Sequence, residues 1–205
     1  MIFFPVRQVI ANNRSWMIIA LIIFSGAAIA FYLTGLSGNP AQGSQPEGNL
    51  DQVMEFLYRL IESNPLVSAL LVFMNNFLSM AQMLILGCLA GISPLFTLGL
   101  NGALVGYLLA VTAGQGGAGL NTILFGLLPH GIFELYAFFL CGALGLKFGY
   151  HCVASPLPGM TRLESFRYIW KETISVLPLV VLLLLVAAFV EMFITPRLLH
   201  LVIPA

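Results

Sequence analysis

Residues 63–146 carry a single formal charge, Glu134. A stretch this long and this poor in charge does not suit a water-soluble domain, because one small core cannot hide so much apolar surface. At about 20 residues per transmembrane helix it holds three spans joined by short turns. Two more uncharged runs flank it. Residues 15–46 have their apolar part at 16–36, and residues 173–190 extend to about 194. The expectation is an all-α, polytopic membrane helix bundle forming a single integral membrane domain over 1–205. Its five transmembrane helices fall at about 16–36, 65–86, 94–113, 121–148 and 174–194. The second span has its first firm break at Pro94, and Pro129 interrupts the fourth, as a kink or as a break. These are continuous apolar runs and not alternating ten-residue strands, which excludes a barrel.

Composition agrees. Hydrophobic residues make up 60% of the 205, and charged residues 8%, against about 25% in soluble domains. The net charge is zero, so there is no basic face for nucleic acid. Arg7 and Arg14 give the first span a basic flank, and Ala28-Ile29-Ala30 resembles a signal-peptide cleavage site, but the apolar core exceeds the usual length. It reads as a retained helix. With the N-terminus in the cytoplasm, Arg7, Arg14, Lys147, Arg162, Arg167 and Lys171 lie inside and only Arg59 and Arg197 outside, which follows the positive-inside rule. Cys88 and Cys141 fall in or at the ends of spans and Cys152 in a cytoplasmic loop. No pair is placed for an external disulfide.

Two segments outside the spans carry pattern. The external loop 37–64 opens with turn chemistry at Gly38-Asn39-Pro40 and continues through Gly43, Ser44, Pro46 and Gly48. From 50 to 62, Leu50, Val53, Met54, Leu57, Leu60 and Ile61 recur at helical spacing, with Glu55 and Arg59 as an i,i+4 pair. This predicts a short amphipathic helix on the membrane face, or a docking helix for an extracytoplasmic partner. In the cytoplasmic loop 149–173, Thr161-Arg162-Leu163-Glu164 has capping-box form. Leu163, Phe166 and Trp170 share a face beside Arg162, Arg167 and Lys171. A second interfacial helix, leading into the last span, is expected there, with its basic residues near anionic lipid headgroups.

Polar groups in the hydrocarbon zone need a reason, since a charge there costs roughly 3 kcal/mol on insertion scales. Glu134 lies one helical turn after His130, so the two share a face. Pro129 cannot donate to the Phe125 carbonyl and frees it. Asn75 and Asn76 on the second span and Asn101 on the third fall at a similar depth, which predicts one buried polar cluster of Asn75, Asn76, Asn101, His130 and Glu134. Glu191, near the external end of the last span, either reaches the interface or caps the cluster. Gly87-xxx-Gly91, Gly102-xxx-Gly106 and Gly145-xxx-Gly149, with Gly142, have the small-xxx-small form of close helix packing, and a homo-oligomer, a dimer, is expected. There is no metal motif and no cofactor motif. A zinc protease needs two histidines four apart and a third ligand, whereas His151 and His200 lie elsewhere in depth. Ser68 and Ser79 have no base marked beside them.

Taken together, Asn75-Asn76, Asn101-Gly102 with Gly106, and Pro129-His130-Gly131-Ile132-Phe133-Glu134 with Gly142 and Gly145 resemble the stage II sporulation protein M family. The likeness covers residues 65–150 by motif and the whole chain by layout. It implies a non-enzymatic anchor in the cell membrane, part of the engulfment machinery of sporulation. Two peptidoglycan-degrading partners are implied, an amidase/endopeptidase and a lytic transglycosylase. Partners docking outside need loop 37–64 together with the short turn near Gly114–Leu120. The alternative is a small transporter or channel that uses the intramembrane His130–Glu134 pair.

Overall fold

The computed structural model describes residues 3–37, 64–113 and 121–202, which are helical nearly throughout, with no strand among them. Helix α1 (Val6–Asn12) follows Pro5, whose carbonyl accepts the Gln8 and Val9 amides at 2.9 and 3.1 Å. Asn13 separates it from α2 (Arg14–Ser37). Helix α3 (Pro65–Ile85) starts where Asn64 caps the Leu66 amide and Pro65 takes the first position, where no amide is needed. It tightens into a 3₁₀ turn at Leu86–Cys88. Helix α4 (Ile92–Ala113) follows the turn at Ala90 and Gly91, both at positive φ. A π-helical turn, Thr122–Leu127, runs directly into α5 (Leu128–Val153). Helix α6 (Arg162–Phe189) passes through a second π-turn, Val190–Ile194, into α7 (Thr195–Val202).

Five helical stretches are long and apolar enough to cross a membrane: Arg14–Gly35, Pro65–Cys88, Ile92–Ala113, Ile123–Val153 and Arg162–Leu199. These are the five anticipated spans, with three differences at one end of the bundle. Residues 149–173 are not one loop, because α5 continues to Val153 and α6 begins at Arg162. The amphipathic segment after Thr161 is the start of α6 and not a separate helix. Its capping box forms as the spacing predicts, so an N-terminus placed there has no reason to stop before the apolar run begins. Cys152 accordingly lies in the last turn of α5, and Cys88, Cys141 and Cys152 are all free. Pro129 neither breaks nor ends the fourth span. In an α-helix the Phe125 carbonyl would face the missing amide of Pro129, whereas π spacing offers it the amide five residues on, at His130. The expected helix at 50–62 and the turn near Gly114–Leu120 lie outside the described residues.

Large apolar side chains cover the outside of the bundle, among them Leu66, Leu78, Phe96, Leu100, Leu104 and Leu182. That surface suits hydrocarbon, where an exposed leucine costs nothing and only backbone polar groups must be satisfied within the fold. The helices are held instead by close backbone approach. A methyl group on Gly102 would strike the Phe24 carbonyl of α2, and one on Gly106 would strike that of Ala28. One on Gly145 would land 2.5 Å from the Met83 carbonyl of α3, and one on Gly142 would land 3.0 Å from Leu98 of α4. Gly149 leaves room for the backbone of the Ala90–Gly91 turn. The core between them holds Phe24, Met80, Met83, Leu98, Leu140, Leu144 and Val180.

One end is fastened by charge. Lys147 of α5 pairs with Glu172 of α6 at 2.5 Å, with side chains 5% and 0% exposed. Asn13 Nδ2 donates to the other Glu172 oxygen at 3.2 Å and to the Val9 carbonyl at 2.8 Å. Lys147 also lies over the Tyr168 ring, 5.6 Å from its centre. The N-terminal segment closes this end: the Phe4 amide donates to Ser175 Oγ at 3.0 Å, and the Phe4 ring packs against Tyr168. Three segments distant in sequence thus meet at one satisfied ion pair.

Two stability predictions follow from this packing. Gly102→Ala and Gly106→Ala should each cost roughly 1–3 kcal/mol through overpacking. Gly99→Ala, whose methyl meets nothing within 4 Å, should be neutral or stabilising because alanine is the better helix former. Thermal unfolding in detergent micelles separates them, and equal losses at all three positions would refute the packing account. Lys147→Met or Glu172→Met alone should cost roughly 3–5 kcal/mol by stranding a buried charge, and the double variant should recover most of that loss. A double variant as unstable as the two singles summed would show that the charges act independently.

Candidate functional site

The cluster residues come from elements placed by the packing above. Gly102 and Gly106 draw α4 against α2, and this brings Asn101, one position before Gly102, to the seam between them. On α5, positions 127, 130, 131, 134, 135 and 138 recur at helical spacing and turn toward the same seam. The result is a cavity of about 150 Å³ lined by Phe24, Asn101, Val105, Leu127, His130, Gly131, Glu134, Leu135 and Phe138. Asn101, His130 and Glu134 therefore share one partly open cavity, walled by phenylalanine and aliphatic side chains.

Hydrogen bonding around this cavity is incomplete. Asn101 Nδ2 donates to the Thr97 carbonyl of its own helix at 2.8 Å, which leaves its second N–H and its carbonyl oxygen for other partners. His130 is 7% exposed, and its Nδ1 is buried without a hydrogen-bond partner among the described residues. Glu134 is half-buried. Its charge interacts with Glu191, which lies on the π-turn Val190–Ile194 packed beside α5. Thr195, four residues after Glu191, also buries a hydroxyl without a partner.

The remaining cluster residues are elsewhere. Helix α3 packs through Ser68, Met80, Met83 and Leu84. Asn76, one turn before Met80, lies half-buried on that side, and Asn75 is exposed. Neither lines the cavity. Similar depth on neighbouring spans is thus not enough to bring side chains together, because each helix presents only one face to its partner. His151 lies far along α5, where its Nδ1 is 2.7 Å from the Ser155 carbonyl. Among the described residues no group of three or more His, Cys, Asp or Glu side chains is set to hold a metal ion.

Sequence reasoning missed the Lys147–Glu172–Asn13 constellation. A signal was present: Lys147 ends one long uncharged run and Glu172 begins another, with opposite signs and a short connection between their helices. Once α5 and α6 are read as neighbours, the two charges fall at one level. Asn13 left no comparable signal, because a polar residue before the first span reads as solvent-exposed.

The model of the family Stage II sporulation protein M matches residues 15–196. Neither a curated protein nor a solved structure matches the chain significantly. The matched region runs from the start of α2 through the second π-turn into the first residues of α7 and takes in all the cavity residues and both carboxylates. With five helices able to cross a membrane and this match over most of its length, the chain is a multi-pass membrane protein that belongs to the stage II sporulation protein M family.

Proposed function

We propose that the protein is a non-enzymatic membrane anchor that positions peptidoglycan-remodelling enzymes, as in the engulfment machinery of sporulation. The family match over residues 15–196 carries this reading. This is a sporulation-related membrane family and not a known enzyme family. Charge placement supports the N-terminus-inside orientation. Arg162 donates to the Cys152 carbonyl at 2.7 Å, and α1, which carries Arg7, packs on α6 near Arg167 and Lys171. The basic residues therefore gather at one end, as the cytoplasmic side attracts them.

In that orientation segment 38–63 is extracytoplasmic. It holds Glu47, Asp51, Glu55 and Glu62, half of the acidic residues of the chain, against Arg59 alone. An acidic segment of this kind is complementary to a basic partner surface and speeds encounter with it. The partners in this reading are an amidase/endopeptidase and a lytic transglycosylase, and the membrane is the cell membrane. A homodimer would present two such segments and raise the local concentration of enzyme at a septum. The transporter alternative draws on the cavity at His130 and Glu134.

Co-purification from membranes tests the anchor reading. Wild-type protein should retain the two hydrolases. The variant Glu47→Gln, Asp51→Asn, Glu55→Gln, Glu62→Gln should lose at least tenfold in recovery, equal to about 1.4 kcal/mol, while the bundle stays monodisperse. Glu134→Gln should leave recovery unchanged. Failure of the wild type to retain either hydrolase would overturn the reading, and full recovery by the quadruple variant would move the docking surface away from 38–63.

A further inference from the structure

We propose that the cavity at Asn101, His130 and Glu134, together with the neighbouring Glu191, is a proton-binding site within the membrane. The inference does not rest on the anchor reading, since a scaffold and a transporter can equally contain such a site.

The charged groups at this cavity are both carboxylates, and the neutral groups beside them, an amide and an imidazole, can each donate or accept. Glu134 and Glu191 are two carboxylates near enough for their charges to interact. Asn101 commits one N–H to Thr97 and keeps a second N–H and an oxygen. The imidazole of His130, more than nine-tenths buried, lines the cavity with Nδ1 unpartnered. Two carboxylates near one another between apolar walls repel, and a proton taken up by one of them relieves that repulsion. The surrounding elements bring no fixed cation to do so. Helices α3 and α4 carry no Asp, Glu, Lys, Arg or His, and α2 carries only Arg14, at its far end. Tyr107 of α4 and Tyr136 of α5 are exposed, and Tyr32 of α2 lines a different cavity. On α7, Arg197 is exposed, and the side chain of His200 lies outside the described residues.

A proton fits better than a metal ion. The described carboxylates and imidazole do not converge as a metal-ligand group, whereas a proton needs only one acceptor and a hydrogen-bond partner. A cavity of about 150 Å³ also has room for water that would connect donors and acceptors too far apart for direct contact. The proton resides on one carboxyl group and is held by hydrogen bonds from or through water to the second carboxylate, the Asn101 oxygen or His130. Its loss leaves a carboxylate and a released proton, with no other reactant required.

Infrared difference spectroscopy on the full-length protein in lipid nanodiscs tests this, using ¹³C-glutamate to identify carboxyl bands and a pH change at constant ionic strength. The expected result is a carboxylic-acid carbonyl band that titrates with pH. Glu134→Gln should abolish it. Glu191→Gln, which removes a neighbouring negative charge, should keep the band but weaken proton binding about tenfold. Should Glu134→Gln fail to fold, the isotope shift in the wild type and the Glu191→Gln displacement still decide. A folded wild type with no titrating carboxylic-acid band would overturn the proposal, as would a band untouched by Glu134→Gln. Repeating the titration with sodium or potassium chloride replacing N-methylglucamine chloride tests the occupant. A midpoint independent of the salt supports the proton, and saturable competition by an alkali-metal ion would overturn that assignment.

Discussion

In hydrocarbon, one apolar helix surface gains little by leaving lipid for another, so burial does not fix how these helices meet. Backbone approach at glycine does. The seam between α2 and α4 exists because Gly102 and Gly106 leave no side chain between α4 and the carbonyls of Phe24 and Ala28. The seam between α3 and α5 exists because Gly145 stands against Met83. Everything else at the centre of the bundle takes its position from these contacts. Asn101 faces the cavity because Gly102 beside it faces α2, and His130 and Glu134 reach the same space because α5 is held at Gly142 and Gly145 farther along.

Charge is then distributed with economy. At one end Lys147, Glu172 and Asn13 form a set in which the cation and anion are both satisfied, so the cost of burying them is offset by mutual attraction and hydrogen bonding. Nearer the other end, Glu134 and Glu191 are the same sign, and the cations on the neighbouring helices are engaged or turned away: Lys147 pairs with Glu172, and Arg197 is exposed. The two places solve burial of charge differently. The first fastens the N-terminal segment, α5 and α6 into one unit. The second leaves two like charges without a countercharge beside a cavity, which is the arrangement of a site and not of a fastener.

The spans were legible in the sequence because hydrocarbon tolerates few charges, so long runs almost free of charge mark where they lie, although Lys147 and Glu172 sit inside the helices and not at their limits. The face of α5 was also legible, since positions 130 and 134 lie one turn apart on any helix. What escaped was rotation. Asn75 and Asn76 occupy the expected depth, but α3 is turned by its contacts at Met80 and Met83, and apolar residues surround the whole helix, so no polar face reveals that rotation. The sequence showed the amphipathic segment after Thr161 leading into the last span, but not that one unbroken helix carries both. A capping box marks where a helix begins and says nothing of where it ends, and Lys171 and Glu172 looked like an aqueous boundary until Glu172 was seen to pair with Lys147.

Proline placement joins the two halves of the site. Each π-turn ends two residues before a proline: Leu127 before Pro129, and Ile194 before Pro196. In both places the wider spacing moves a carbonyl past the amide that proline lacks, so the span continues without a break. Pro178 lies inside α6 without such a turn, so proline alone does not impose one. A π-turn shifts the rotational phase of every residue that precedes it relative to those that follow. On the fourth span this separates the facing of residues 122–127 from that of His130 and Glu134. On the last it separates Glu191 from the face of α6 that packs against α5. The second carboxylate stands on such a turn, packed beside α5, so the irregular backbone and the two carboxylates belong to one local solution.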